Sequence, residues 1–170
     1  EAQESVLSLP VRRDRFLFFR VLLKPWSLLQ SMQGNYKDAY NASYYVLSAN
    51  AITERGEIYQ VDGRSNRVSA MLFGPENVIV VAGINKLVPT LRDAAVRVKN
   101  VAAPINATRL CMETPCTKLG HCIAPTMDED SLFANGCQSE GCICCNSVVF
   151  RRQRTKDRIT VILVGEDLGY

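Results

Sequence analysis

Seven cysteines, Cys111, Cys116, Cys122, Cys137, Cys142, Cys144 and Cys145, occupy one stretch of the chain, and the rest has none. Thiolates are soft ligands for zinc and for iron–sulfur clusters. Seven in 170 residues is sparse beside the roughly 8–10% of disulfide scaffolds, and an odd number cannot pair completely within one chain. The cluster therefore reads as a metal or redox site. Cys142-Ile143-Cys144-Cys145 could bring two or three sulfurs to one ion. The spacing matches no standard zinc-finger or ferredoxin run, so buried or incidental thiols stand as the alternative. The only histidine, His121, lies inside the same segment. A Ser-His-Asp triad, a two-histidine zinc-protease site and a facial iron triad all need imidazole elsewhere. Chemistry here rests on thiols, carboxylates, Lys/Arg or backbone groups.

Glu54 and Glu166 are the acids to consider for proton transfer or covalent catalysis. Parallel sheets bind ligands outside the carboxyl ends of their strands. If the strands are all parallel, Asn50, Thr53, Glu54, Asn85, Lys86, Glu166 and Asp167 lie near one edge. Asp62-Gly63 with Asn66-Arg67, at a helix start, could hold a phosphate or carboxylate on backbone N–H groups. The plainer reading makes all of these turn and helix-cap residues. No base–nucleophile pair can be read from their spacing.

Strands alternating with helices must position these groups. Tyr45–Ala49 and Glu57–Val61 read as strands, separated by a polar turn at 50–54. A helix runs from a Ser65 cap to Phe73, with Gly74 suited to a left-handed C′ position. Asn77–Ala82 is continuously apolar, as in a parallel strand buried on both faces. Pro89 sits in the first turn of the next helix, with Leu91, Ala94, Ala95 and Val98 on one face. A short helix at 105–110 precedes the cysteines, and Met127–Asp130 reads as a surface loop. Ser147–Arg152 and Ile159–Val164 are the last strands. A short helix is also expected over 35–45. Residues 1–35 give no coherent element: Arg15–Gln30 has helical apolar content, but Pro25 interrupts it. The pattern is α/β, with a largely parallel sheet.

Hydrophobic residues at 47% and charged residues at 22% fit a globular chain. A formal charge of +3 is too small an excess to indicate nucleic-acid binding. No apolar run approaches the ~20 residues of a membrane-spanning helix. With no signal-peptide layout at the start, a soluble cytoplasmic protein is expected.

The segments Ser48–Glu54, Asp62–Val68, Asn77–Lys86, Asn100–Arg109 and Val161–Gly169, in this order, closely resemble the lactate-utilisation (LUD) domain family. The resemblance covers about residues 36–170, with the cysteine-rich segment 111–145 inside it. It is nearest to the branch with a cysteine-bearing segment near its C-terminus. Pro115-Cys116, Gly120-His121-Cys122, Cys137 and Ile143-Cys144 match that branch's four cysteine positions. Three features depart from the family: 1–35 lack its glycine-rich loop, 123–136 look inserted, and Cys111, Cys142 and Cys145 are extra.

The resemblance implies a Rossmann-like, mostly parallel sheet flanked by helices, similar to ribose-phosphate isomerases and CoA-transferases. It implies a place in lactate (2-hydroxyacid) oxidation beside an iron–sulfur oxidoreductase subunit. By their count and clustering, Cys116, Cys122, Cys137 and Cys144 could supply four thiolates to zinc or to an iron–sulfur cluster. Those four sulfurs are expected to converge, with Cys142 as substitute and Cys111 apart. Two further functions stay open. One is an isomerase or acyl/CoA-transferase using Glu54 or Glu166. The other is a non-catalytic domain that binds a partner or a second copy of itself.

Overall fold

The structure, a computed structural model, describes residues 39–124 and 136–170 and the backbone of a strand at 16–18. The predicted loop at 127–130 lies outside these residues, as does 35–38 of the predicted first helix. What the structure describes of that helix is a single 3₁₀ turn, Ala39–Asn41.

Two four-stranded sheets form the body. The first runs β1 (Phe16–Phe18), β2 (Tyr44–Leu47), β5 (Asn77–Gly83), β8 (Ile159–Val164), with every pairing parallel. The second runs β6 (Leu87–Val88), β3 (Ala51–Thr53), β4 (Ile58–Asp62), β7 (Asn146–Phe150). There β3 is parallel to β6, but β4 is antiparallel to both β3 and β7. The expected single, mostly parallel sheet is thus replaced by one parallel sheet and one mixed sheet. The chain crosses between them at 48–50, so Thr53 and Glu54 do not share a sheet edge with Glu166.

The stretch read as a polar turn contains β3, whose three residues are all buried. Asn50 and Glu54 bracket it and mask its apolar character. Strand β5 is not buried on both faces; its residues alternate between buried and half-buried. Strand β8 is an edge strand, and Val161, Ile162 and Leu163 are exposed.

Helix α1 (Asn66–Phe73) covers the parallel sheet, with Val68, Ala70 and Met71 beside Tyr45, Val78 and Val80 in the core. Ser65 stands at its N-cap with φ of 60°, and its side chain makes no capping bond. Asp62 caps the helix instead, accepting from the backbone N–H of Arg67 and Val68, each at 3.2 Å. Gly74 ends α1 at φ −89°, not in the left-handed region expected.

Helix α2 (Leu91–Arg97) starts after Pro89, not with it, because Thr90 caps the helix. Thr90 Oγ1 accepts from Asp93 N–H, and the Asp93 carboxylate accepts from Thr90 N–H, a reciprocal capping box. A π-helical turn, Val98–Ala102, joins α2 to α3 (Ala103–Arg109). This helical rod packs Ala94, Ala95, Val98 and Ala103 against Ala51, Tyr59 and Val88 of the mixed sheet. Among the described residues, no helix is long and apolar enough to cross a membrane.

Candidate functional site

The π turn has a local cause. Ala103 N–H bonds the Val98 carbonyl five residues back, and Pro104 has no N–H to give. The Lys99 carbonyl is therefore left without a helical donor. Cys122 N–H takes it at 3.1 Å, which docks the cysteine segment on the rod.

The docking encloses a cavity of about 120 Å³. Tyr59, Val61 and Ser147 come from the mixed sheet, and Ala95, Val98, Lys99 and Ala103 from the rod. Cys116, Cys122, Cys137, Cys142, Cys144 and Cys145 complete the lining. Such a space is small beside the ~300–1,000 Å³ of drug-sized ligand pockets.

Cys116 sits on the short helix α4 (Pro115–Leu119), where its sulfur shares a 3.1 Å hydrogen bond with the buried Thr114 hydroxyl. Ala124 N–H donates to Cys122 Sγ at 3.4 Å, and Cys144 N–H donates to Cys142 Sγ at 3.4 Å. The Cys145 thiol donates to the Cys142 carbonyl at 3.3 Å. Gly63 lets the 142–144 segment approach closely: a Cβ there would stand 3.3 Å from Ile143 Cα and O.

Electrostatics reflect the crowding. Burial, then the neighbouring thiols of Cys142, Cys122, Cys116 and Cys137, push the Cys144 thiol up to about 12. Burial also raises Cys142, offset by the Cys144 N–H bond and reinforced by a hydrogen bond with Cys137. Tyr59, whose hydroxyl donates to Ser147 Oγ at 3.2 Å, is raised chiefly by burial.

All seven cysteines are free thiols. Cys116, Cys122, Cys137 and Cys144 thus line one cavity together with Cys142, while Cys111 is exposed and does not line it. The donors suit a soft metal in kind. Their spacing does not: among the described residues, no three His, Cys, Asp or Glu side chains form a group that could hold a metal ion. His121 is exposed and does not line the cavity.

The other sequence candidates scatter. Asn50 Oδ1 accepts from Val61 N–H at 2.8 Å and from Arg67 at 3.3 Å, tying the crossing between the sheets to β4 and α1. Thr53 and Glu57 bond each other, and Glu54 is exposed. Asp62 supplies its own anion at the start of α1, beside Asn66. Arg67 is spent on Gln60, Val61 O and Asp62. Gly63 serves the approach of Ile143 described above. Glu166 is exposed after β8, whereas Asn85 and Lys86 form a separate cluster under the segment that follows β8. The buried Thr114 and the π turn had no sequence signal beyond Pro104.

The sequence model of the LUD domain matches residues 13–164. The chain belongs to the LUD domain family. The match begins inside the segment that the sequence alone left unread, consistent with β1 pairing to β2 at 16–18. No curated protein and no solved structure matches the chain. The LUD assignment thus covers the parallel sheet, the mixed sheet and the thiol cavity alike.

Proposed function

We propose that this LUD domain serves lactate or related 2-hydroxyacid oxidation as a cytoplasmic component of a redox complex. In this reading it belongs to the branch with a cysteine-bearing C-terminal segment, and its fold is akin to ribose-phosphate isomerases and CoA-transferases. Its cavity takes zinc or an iron–sulfur cluster on Cys116, Cys122, Cys137 and Cys144, with Cys142 in reserve. The observation that carries the reading is the gathering of six of the seven cysteines around one small cavity.

The raised Cys144 thiol supports it. Thiols that oppose one another's ionisation are relieved together by a soft cation, which holds them deprotonated. Closing a coordination shell requires the sulfurs to draw inward from their present spacing. Zinc bound there supplies structure, whereas an iron–sulfur cluster supplies single-electron transfer. The exposed Val161, Ile162 and Leu163 of edge strand β8 favour a protein partner, an iron–sulfur oxidoreductase subunit.

Elemental analysis and a visible spectrum of anaerobically purified protein test the metal clause. Near-stoichiometric zinc, or iron with sulfide and visible absorption, is expected. A colourless protein holding neither overturns it.

A further inference from the structure

Strands β2, β5 and β8 are parallel, so their carboxyl ends open on one side of the sheet. Ser48 follows β2, Lys86 follows β5, and the segment 165–170 follows β8. Lys86 is only 5% exposed, and its ammonium makes one hydrogen bond among the described residues, to Ser48 Oγ at 3.0 Å. An ammonium has three donors to satisfy. Among the described residues, no carboxylate pairs with it.

Its charged neighbours deepen the imbalance. Arg97 is committed to neutral carbonyls, Asn85 O at 3.0 Å and Asn50 O at 2.7 Å. Arg67 has Asp62 as its counter-ion, 3.8 Å away. A buried charge is costly unless it is paired. Burial, then Arg97 and Arg67, hold the Lys86 ammonium below the usual lysine range.

The segment 165–170 lies over this cluster. Ile84 N–H donates to Glu166 O at 3.2 Å, Asn85 Nδ2 donates to Gly169 O at 2.9 Å, and Leu168 N–H donates to Asn85 Oδ1 at 3.2 Å. Gly83 permits the approach, since any Cβ there would collide with Leu168 N and Glu166 O. Gly169, at φ +64°, brings backbone to the ammonium; a Cβ on it would lie 3.5 Å from Lys86 Nζ. The two Asn85 bonds are solvent-exposed and open most easily, whereas the Tyr170 hydroxyl, which accepts from Arg109 Nε at 2.6 Å and donates to Asn106 Oδ1 at 2.8 Å, keeps the end of the segment tied to α3.

We propose that Lys86 and Ser48 form a binding site for an oxyanion, a carboxylate or phosphate group, beneath a segment latched by Asn85. An entering anion gains the two ammonium donors that no described residue accepts from, and the Ser48 hydroxyl, while neutralising a buried cation. Neither residue lines the thiol cavity, so this site stands or falls independently of the metal reading.

Calorimetric titration with inorganic phosphate and, separately, with lactate and pyruvate, at matched chloride, tests the site and tells its two ligand sources apart. Wild-type protein is expected to bind one class, and Lys86→Met to bind it about tenfold or more weakly. Should Lys86→Met fail to fold, Ser48→Ala carries the same test through a several-fold loss. No binding of any of these anions to wild type, or equal binding to the variant that folds, overturns the proposal.

Discussion

The backbone N–H of Cys144 donates to the sulfur of Cys142 at 3.4 Å, and Cys142 in turn opposes the ionisation of the Cys144 thiol. The hydrogen bond favours a thiolate on Cys142, while its proximity disfavours one on Cys144. Of the pair, Cys144 is the more strongly suppressed.

Metal-free protein should therefore show a graded thiol reactivity. At pH 8 a thiol raised to about 12 is ionised in roughly one molecule in ten thousand, and the thiolate is the nucleophile. Exposed Cys111 and Cys145 should alkylate first and Cys144 last. Peptide mass spectrometry after timed iodoacetamide treatment checks the order; early labelling of Cys144 contradicts it.

The same thiol sets an alkaline limit on stability. Its ionisation lies at 9.0 unfolded and about 12 folded, so the folded state binds more protons between these values. Its contribution is fully present below pH 9 and is lost as pH rises towards 12. Denaturant midpoints across that range should fall in wild type and fall less steeply in Cys144→Ala.

Lys86 contributes with the opposite sign. A lysine held below its unfolded value of 10.5 makes the folded state bind fewer protons, so stability rises with pH through that window. Below it the buried charge is a penalty. In anion-free buffer at neutral pH, Lys86→Met should stabilise by about 1 kcal/mol, or roughly 2–4 °C in a chain of this size. A thermal melt with a lowered midpoint contradicts this.

Gly63→Ala tests the support of the cavity. The added methyl meets Ile143 backbone at 3.3 Å, so the 142–144 segment must shift. A loss of about 1–3 kcal/mol is expected from such overpacking, together with weaker metal uptake. Asp62→Ala, which removes the cap of α1, should cost about 0.5–2 kcal/mol and leave metal uptake unchanged.

Elements with strong local patterns were legible in the sequence. Strand β8 appears at its expected bounds, Ile159–Val164, and β5 extends its expected run only to Gly83. Strand β3 was missed because three residues between Asn50 and Glu54 carry too little pattern, and its burial comes from strands and helices distant in sequence. The mixed second sheet was hidden for the same reason: direction is fixed by pairing partners, not by composition. The strand expected over Ser147–Arg152 is β7, which starts one residue earlier at Asn146 and ends at Phe150. The cysteines were visible as a cluster. That they line one cavity depends on the π turn and its freed Lys99 carbonyl, for which Pro104 was the only hint.

X-ray absorption at the zinc and iron edges of anaerobically purified protein tests the central claim most directly. The account predicts a first shell of about four sulfurs at roughly 2.3 Å. With the reserve thiol removed by Cys142→Ser, the shell should lose sulfur when Cys116, Cys122, Cys137 or Cys144 is also replaced by serine, and keep it in Cys111→Ser. Protein without bound metal, or a first shell of nitrogen and oxygen alone, contradicts the account.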